Sequence, residues 1–257
     1  MATPRPLPPM ETHATPAFQV ETNRFRKLSI IIPCYNEHQN IEKVLEVVQG
    51  VDVGMEKELI IIDDGSTDGT VEVLQEIREK TPDADILKVH FSMLNSGKGF
   101  AIRIGLKYAT GDIVLIQDAD LEYDPHDIPK VLAPIKEGKA DVVYGSRFKG
   151  SVQGMALPNL VCNKILAGLA TLLYGTHITD EATAYKAFRR DVIQKVDLKC
   201  QRFEFCPEVT AKVLKAGAKL VEVPITYRGR TTAEGKKIGW KDGVEAIYTL
   251  LLYRFKK

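Results

Sequence analysis

The sequence predicts an α/β fold built on a mostly parallel sheet. Short apolar runs rich in β-branched residues alternate with segments of helical periodicity from residue 28 to residue 144. Polar residues follow the ends of several of these runs, which is where ligands bind in open parallel sheets. The 257 residues are 44% hydrophobic, which is enough for one large domain with a substantial core.

The first part of the chain predicts five strands and four helices in alternation. Each strand is a short apolar run, and each helix carries its apolar residues on one face. The predicted strands are 28–33, 58–62, 86–91, 112–116 and 141–144, and the predicted helices are one around 41–48, then 70–80, 97–109 and 127–137. Right-handed crossovers should bring the loops after these strands to one edge of the sheet, where they form a cleft.

The remainder of the chain follows a different pattern. Residues 157–174 form a long apolar helical stretch, 184–188 and 220–224 indicate short strands, 204–216 and 244–255 indicate helices, and 229–237 is a loop rich in glycine and charge. Residues 1–26 are rich in Pro and Thr without an apolar core, and we expect a disordered leader there. Residues 27–257 are then expected to form a single domain.

Composition disfavours several classes of protein. Lys and Arg total 35 and Asp and Glu total 34, so the net charge of +1 gives no basic excess for nucleic acid. The four cysteines lack CxxC spacing, which disfavours a zinc site or a disulfide framework and favours a reducing compartment. Apolar stretches fall short of the roughly 20 residues that span a bilayer. We therefore expect the cytoplasm, or the cytoplasmic surface of a membrane.

The strongest chemical signal follows the fourth predicted strand. Asp118 and Asp120 emerge where that strand ends, and Glu122 lies two residues further on. Three carboxylates so close in sequence repel one another unless a cation is present, and oxygen ligands without a nearby His or Cys suit Mg²⁺ or Mn²⁺. A pair of aspartates is also common in solvated acidic turns, so this alternative stays open.

Four further motifs share the predicted cleft. They are Pro33-Cys34-Tyr35-Asn36-Glu37, Ile62-Asp63-Asp64-Gly65-Ser66-Thr67-Asp68, Gly97-Lys98-Gly99 and Gly145-Ser146-Arg147. In this order, and together with Asp118-Ala119-Asp120, they resemble family 2 glycosyltransferases with the GT-A fold. The resemblance is strongest to polyprenyl-phosphate sugar synthases of the dolichyl-phosphate mannose synthase type, and it runs from about residue 28 to residue 255.

The resemblance implies roles for these residues. Residues 27–149 would bind the nucleotide sugar and residues 150–257 the acceptor. Asp118 and Asp120 would hold the metal with Glu122 as third ligand, and Arg147 would join the two aspartates in catalysis. The nucleotide sugar would contact Pro33, Tyr35, Glu37, Ile62, Asp64, Lys98, Ala119, Arg230 and Lys236.

The glycines beside Lys98 suggest a specific way to bind phosphate. Glycine lets another group approach the backbone closely, and the start of a helix offers N–H groups to anions. We expect Lys98 near the nucleotide, with a plain surface lysine as the alternative.

The reaction that the resemblance implies is metal-dependent, inverting transfer of a hexose to a polyprenyl phosphate such as dolichyl or undecaprenyl phosphate. GDP-mannose is the first choice of donor and UDP-glucose the second. A phosphate monoester is already largely anionic at pH 7, so it requires positive charge rather than a general base. Two further alternatives stay open: a soluble glycan acceptor, with Asp180, Glu181 or Glu208 as the base, and nucleotide-sugar binding without catalysis.

Two apolar segments indicate weak peripheral contact with a membrane. Residues 157–174 carry few charges besides Lys164, and residues 244–255 include Arg254 and precede two lysines. A helix with basic flanks can dock reversibly on a bilayer. Packing against the sheet would also account for much of this surface.

Overall fold

The computed structural model describes residues 25–229 and 239–256. Within these ranges, seven strands form one sheet: β1 (Lys27–Cys34), β2 (Glu56–Asp63), β3 (Leu87–Phe91), β4 (Ile113–Ile116), β5 (Val142–Gln153), β6 (Lys186–Arg189) and β7 (Leu220–Arg228). The spatial order is β3-β2-β1-β4-β6-β5-β7. Only β6 is antiparallel to its neighbours, β4 and β5. The other six described strands therefore run in one direction, which confirms the mostly parallel sheet.

The helices cover both faces of this sheet. They are α1 (Ile41–Gly50), α2 (Thr70–Lys80), α3 (Lys98–Tyr108), α4 (Ile128–Lys136), α5 (Leu157–Tyr174), α6 (Arg190–Ile193), α7 (Phe205–Lys215) and α8 (Trp240–Phe255). Successive side chains of a strand point to opposite faces. Ile30 and Ile32 of β1 accordingly pack in the core with α1 and α4, whereas Ile31 packs in the core with α3, α5 and α7.

The predicted elements agree closely with the structure in the first half of the chain. Helix 70–80 has the predicted bounds, as does helix 157–174 in the second half, and the first four strands differ by one or two residues at their ends. The fifth strand differs more, because it continues past Tyr144 to Gln153. After a register shift, its second part pairs with Thr226–Arg228 of β7. The sequence predicts an earlier end for both strands, because the residues that follow are mostly polar. The short helix α6 was not predicted.

The ends of the predicted domain need one correction. The backbone N–H of Arg26 donates to Asp112 Oδ2 at 2.7 Å, and the Arg26 carbonyl accepts from the N–H of Glu56. Residue 26 is therefore part of the fold rather than of a leader. The rest of the predicted leader, and most of the predicted loop 229–237, lie outside the described residues.

The helix α5 also changes an expectation. Its 18 residues have a mean hydropathy of 1.3 and carry one charge, Lys164, so by length and composition it is able to cross a membrane. Only 17% of its residues are buried. The expectation that every apolar stretch is too short to span a bilayer therefore does not hold for α5. Length and composition alone are nevertheless weak evidence that a helix spans a membrane.

Candidate functional site

The carboxyl ends of β1, β2 and β4 open into one cleft. These strands are parallel neighbours, so the loops that follow them leave the sheet at the same edge. The cleft has a volume of about 140 Å³. Its lining consists of Pro33, Cys34, Tyr35, Glu37, Asp64, Lys98, Ala101, Asp118, Ala119, Asp120, Glu122, Phe203 and Tyr227.

Most of the residues expected at the site are in this lining, and four are not. The Ile62 side chain is fully buried in the core on the α3 side and borders a separate cavity beside β3. Arg147 lies behind the cleft wall, as described below. Arg230 and Lys236 lie outside the described residues.

The loops after β1 and β2 are tied to each other. The Asn36 backbone N–H donates to Ser66 Oγ at 2.9 Å, and the Asn36 side-chain oxygen accepts from the N–H of Thr67 at 2.8 Å. Asn36 has a positive φ of 52°, a conformation that asparagine tolerates better than most residues. The backbone N–H of Glu37 donates to Thr70 Oγ1 at 3.0 Å. These bonds place Tyr35 and Glu37 on one side of the cleft.

Asp64 connects the β2 loop to the start of α3. Its carboxylate accepts from the backbone N–H groups of Ser96 at 2.9 Å and Gly97 at 2.7 Å. Burial raises the pKa of Asp64, and these two hydrogen bonds offset that effect only in part. The Asp64 carboxylate therefore holds the Ser96-Gly97 turn in place as well as bordering the cleft.

The glycines beside Lys98 have a different role from the one expected. The N–H groups of Gly99 and Phe100 donate to the carbonyls of Arg202 and Gln201, at 3.0 and 2.9 Å. A Cβ at Gly97, where φ is +98°, would lie 2.5 Å from the Gln201 carbonyl oxygen. The close approach that these glycines permit is thus that of another protein segment, and those N–H groups are not available to an anion.

This approach brings Phe203 into the cleft, which sequence analysis missed. The segment before α7 is held by Glu208, whose carboxylate accepts from the N–H groups of Lys199 at 2.8 Å and Cys200 at 2.6 Å. Phe203 follows directly and lines the cleft. Sequence carried no signal for this contact, because it joins segments about a hundred residues apart.

Lys98 and Asp118 form an ion pair at the base of the cleft. The distance from Nζ to Oδ1 is 2.5 Å, and the two side chains are 21% and 17% exposed. Burial acts to lower the pKa of Lys98, but neighbouring groups, chiefly the Asp118 carboxylate with contributions from Cys206 and Asp120, together more than offset it and the net shift is upward. Lys98 is therefore cationic, and it balances the charge of Asp118.

The other two carboxylates have partners of their own. Asp120 is buried, and its Oδ1 accepts from the backbone N–H of Glu122 at 3.0 Å. The Tyr227 hydroxyl donates to Glu122 Oε2 at 2.8 Å. Tyr227 stands near the end of β7, at the same edge of the sheet, and a strand prediction that continued to residue 228 would have pointed to it.

A metal ion suits the donor set of this cleft, but the carboxylates are not gathered around one point. Among the described residues, no three His, Cys, Asp or Glu side chains form a group that could hold a metal ion. The Lys98 ammonium on Asp118 shows that the site attracts a cation. Carboxylate oxygens are also the ligands that Mg²⁺ and Mn²⁺ prefer. The oxygen donors of these residues are therefore suitable ligands for such an ion. That Asp118, Asp120 and Glu122 bind it together remains a prediction.

Arg147 does not line the cleft. Its guanidinium donates to both carboxylate oxygens of Asp180, each at 2.7 Å, and both side chains are buried. The guanidinium also lies over the Tyr227 ring, 5.1 Å from the centroid. Arg147 therefore supports the Tyr227 wall of the cleft, whereas the resemblance implied that it would join Asp118 and Asp120 in catalysis.

Asp180, Glu181 and Glu208 were considered as a general base, and they are not among the described residues that line the cleft. Asp180 is paired with Arg147, and Glu208 with Lys212 and two backbone N–H groups. Glu181 is fully buried, and its Oε1 accepts from Thr210 at 3.1 Å. Burial raises the pKa of Glu181, with partial compensation from Lys186.

The fold is that of GT-A glycosyltransferases. A crystal structure of glucosyl-3-phosphoglycerate synthase from Mycobacterium tuberculosis, with Mn²⁺, UDP and phosphoglyceric acid, superposes with a TM-score of 0.66 at 24% identity, covering 90% of this chain and 79% of that one. A structure of the same enzyme with Mg²⁺ and UDP gives 0.64 at 24% identity, covering 89% and 79%. At this identity, the likeness concerns the fold alone.

Curated proteins and a family model match by sequence. A dolichol-phosphate mannosyltransferase from Pyrococcus furiosus is 33% identical over 220 residues, which are 82% of this chain and 60% of the relative. The low-salt glycan biosynthesis hexosyltransferase Agl6 from Haloferax volcanii is 29% identical over 225 residues, which are 83% and 51%. This chain thus spans little more than half the length of these relatives. The model of glycosyl transferase family 2 matches residues 29–197. Since this match covers well over half of the chain, the protein belongs to glycosyl transferase family 2.

Proposed function

We propose that this chain transfers a hexose from a nucleotide sugar to a polyprenyl phosphate, with inversion at the anomeric carbon. The observation that carries the proposal is the cleft itself. Asp118, Ala119 and Asp120 line it together with Tyr35, Asp64 and Lys98. The family resemblance assigns these last three residues to the donor. The dolichol-phosphate mannosyltransferase relative supports the choice of lipid acceptor.

The donor would be bound by groups from the loops after β1 and β2 and from the start of α3. Tyr35 presents a flat ring for the base, Glu37 and Asp64 are acceptors for base or ribose donors, and Lys98 supplies positive charge for the diphosphate. Arg230 and Lys236 stay proposed partners of the donor phosphates. Arg147 is proposed as a positioning residue, because it contacts Tyr227 rather than the cleft.

A divalent cation is part of this proposal. Asp118, Asp120 and Glu122 are the residues that would hold it, and when bound it would neutralise the charge that develops on the leaving diphosphate. Mg²⁺ and Mn²⁺ are both suitable for carboxylate ligands. The chain's own contribution is to carry these carboxylates on the segment after β4 and to pair Asp118 with Lys98 at the start of α3.

The acceptor proposal is supported by the positions of the three carboxylates that were considered as a general base. Asp180, Glu181 and Glu208 are all engaged elsewhere and lie outside the cleft lining that the described residues form. A sugar hydroxyl would require such a base, whereas a phosphate monoester is already an anion at neutral pH. This arrangement favours a phosphate acceptor over a soluble glycan.

We also propose weak peripheral contact with the cytoplasmic surface of a membrane, through α5 and α8. These helices pack together, and the Tyr174 hydroxyl donates to the Leu250 carbonyl at 2.7 Å. Both expose large apolar side chains to solvent: Leu157, Val161, Ile165, Leu172, Val244, Tyr248, Leu251, Leu252 and Phe255. A helix that presents apolar side chains to solvent and carries basic residues beside them can dock on a membrane interface.

GDP-mannose is the proposed donor, and UDP-glucose is the second candidate. The name of the Pyrococcus relative favours mannose, while the structural neighbours with bound UDP show the likeness of fold only.

Product formation tests the proposal. The purified protein is incubated with radiolabelled GDP-mannose or UDP-glucose, a short polyprenyl phosphate in detergent and Mn²⁺, and lipid-linked sugar is extracted into organic solvent. We expect label in the organic phase with GDP-mannose, and none when the polyprenol lacks its phosphate. Transfer to a soluble glycan instead, or saturable donor binding without any product, would contradict the proposed function.

A further inference from the structure

The Lys98–Asp118 ion pair places a cation on the carboxylate that is expected to hold a metal. We propose that Lys98 leaves Asp118 for the donor diphosphate when the metal binds, so that metal and nucleotide bind cooperatively. This inference rests on the proposed function, because it needs a diphosphate in the cleft. It assigns Lys98 a linking role beyond simple attraction of the nucleotide.

The backbone around Lys98 is held firmly, and its side chain reaches into the cleft. Lys98 is the first residue of α3. The N–H before it, of Gly97, donates to Asp64 at 2.7 Å, and the N–H after it, of Gly99, donates to the Arg202 carbonyl at 3.0 Å. A four-carbon stem that starts from this anchored point can swing its ammonium between acceptors at low cost, because no backbone change is required.

The charges at the cleft base predict the direction of the coupling. With Lys98 on Asp118, the pair is neutral, and a divalent cation that binds Asp118 must either displace the ammonium or lie beside it. Both alternatives weaken metal binding, because like charges repel strongly at short range in a partly buried site. A bound diphosphate provides negative charge that accepts the displaced ammonium. Each ligand should therefore strengthen binding of the other, and by the same factor.

A purely structural role for Lys98 makes a different prediction. If the ammonium only neutralised Asp118 in the folded protein, its removal would lower stability. The energetic coupling between metal and nucleotide would not change, since the ammonium would take part in neither binding step. The two roles are thus separated by measuring binding, and catalytic activity is not needed for the distinction.

The experiment measures Mn²⁺ binding by the loss of the free-ion electron paramagnetic resonance signal, with and without nucleoside diphosphate. Nucleotide affinity is measured by calorimetry at saturating Mn²⁺, with GDP and UDP as probes. The variants are K98M and K98Q, both neutral, and K130M as the matched control. Lys130 pairs with Asp127 at 2.6 Å and does not line the cleft. Circular dichroism checks that each variant is folded.

We expect K98M to bind Mn²⁺ alone about threefold or more tightly than wild type, because a competing cation is gone. In the presence of Mn²⁺, it should bind the nucleotide about threefold or more weakly, while its nucleotide affinity without metal stays near that of wild type, so the coupling factor between the two ligands falls about threefold or more. K98Q should change in the same directions, which keeps the test valid if K98M does not fold. K130M should match wild type in both measurements.

Two results would contradict the proposal, and they differ in meaning. If wild type binds nucleotide but the Lys98 variants keep its coupling factor, the exchange of partners is wrong while the proposed function stands. If wild type binds Mn²⁺ but neither GDP nor UDP, the proposed function fails, and the exchange fails with it because no diphosphate is there to receive Lys98.

Discussion

Asp118 and Asp120 lie two positions apart, but their surroundings give them different properties. Asp118 forms an ion pair with Lys98, while Asp120 is buried and accepts a hydrogen bond from the backbone N–H of Glu122. This difference could not be read from the sequence, where the two aspartates look equivalent. It suggests that Asp120 is the carboxylate whose charge is less compensated by Lys98.

The first prediction concerns Asp120. Asp120→Asn keeps the side-chain shape and an oxygen that can accept the Glu122 N–H, but it removes the charge that would bind a metal. We expect transfer to fall roughly a hundredfold or more while the protein remains folded. Initial rates at saturating Mn²⁺, with circular dichroism as the check on folding, measure this effect.

Asp124→Asn is the matched control for that variant. Asp124 belongs to the same acidic segment, but it pairs with His126 and does not line the cleft. Its loss should leave transfer within about twofold of wild type, as expected of charges away from the reacting atoms. Activity of the Asp120 variant close to that of the control would contradict the assigned role.

At the scale of secondary-structure elements, the start of α3 is where two distant segments meet. Gly99 permits the carbonyl of Arg202 to approach, and this contact carries Phe203 to the cleft. The same glycine motif suggests a phosphate site when only the sequence is known. Glycines in a sequence show that another group can approach the backbone closely, but they do not show whether that group is a phosphate or another segment of the protein.

Gly99→Ala should destabilise the protein through this contact. The added Cβ would lie 2.8 Å from the Arg202 carbonyl oxygen and about as close to Cys200, which real side chains do not tolerate. We expect a loss of about 1 to 3 kcal/mol in the free energy of unfolding, measured by urea denaturation. Gly50→Ala is the control, since a Cβ at that helical glycine meets nothing within 4 Å. Equal stability of the two variants would show that the contact is not tight.

The exposed faces of α5 and α8 make a second prediction at this scale. Leu172 is 81% exposed and Phe255 79% exposed. The double variant Leu172→Glu, Phe255→Glu should lose flotation with anionic liposomes, because it places negative charge on the surface that would enter the interface. Ile86→Glu, on a different part of the molecule, should float like wild type. If wild type itself does not float in the presence of the lipid acceptor, the membrane proposal is wrong.

At the scale of the whole molecule, one side of the sheet contains a buried charge outside the cleft lining that the described residues form. Glu58 of β2 is fully buried and accepts from Ser29 of β1, Lys88 of β3 and the backbone N–H of Thr110. Burial alone would raise its pKa, but these hydrogen bonds more than compensate and lower the pKa to about 2. One carboxylate thus links three neighbouring strands.

This network predicts how stability depends on pH. Because the folded-state pKa of Glu58 is below its unfolded value of 4.5, its contribution is present above that value and is lost as the pH falls toward 2. The contribution at neutral pH is on the order of 3 kcal/mol. Glu58→Gln should therefore unfold more easily than wild type at pH 7, and the difference should shrink as the pH falls from about 5 to about 2.

Urea denaturation at several pH values measures this dependence. Glu46→Gln is the control, since Glu46 forms only an exposed pair with Lys43 on α1. Its stability should follow that of wild type at every pH, because exposed ion pairs contribute little. A difference between the Glu58 variant and wild type that does not change with pH would contradict the low pKa of this carboxyl group.

Sequence by itself determined the class of fold and the general location of the site. Periodicity is a local property, so the alternation of apolar strands and amphipathic helices was readable without any tertiary contact. The rule that parallel strands end at one edge then predicted that the loops 33–37, 63–68 and 118–122 share a cleft. The structure places residues of all three loops in the lining, with Asp64 as the member from the second loop. The family motifs supplied the identity of the chemistry.

Tertiary structure alone decided which partner each of these side chains has. Lys98 lies on Asp118, Arg147 on Asp180, and Tyr227 on Glu122, and each pair joins segments far apart in the chain. Phe203 likewise lines the cleft because the fold brings its segment against the start of α3. Charge and hydrogen-bonding capacity are properties of a residue type, but the partner that satisfies them depends on which strands and helices the fold brings within about 3 Å of one another.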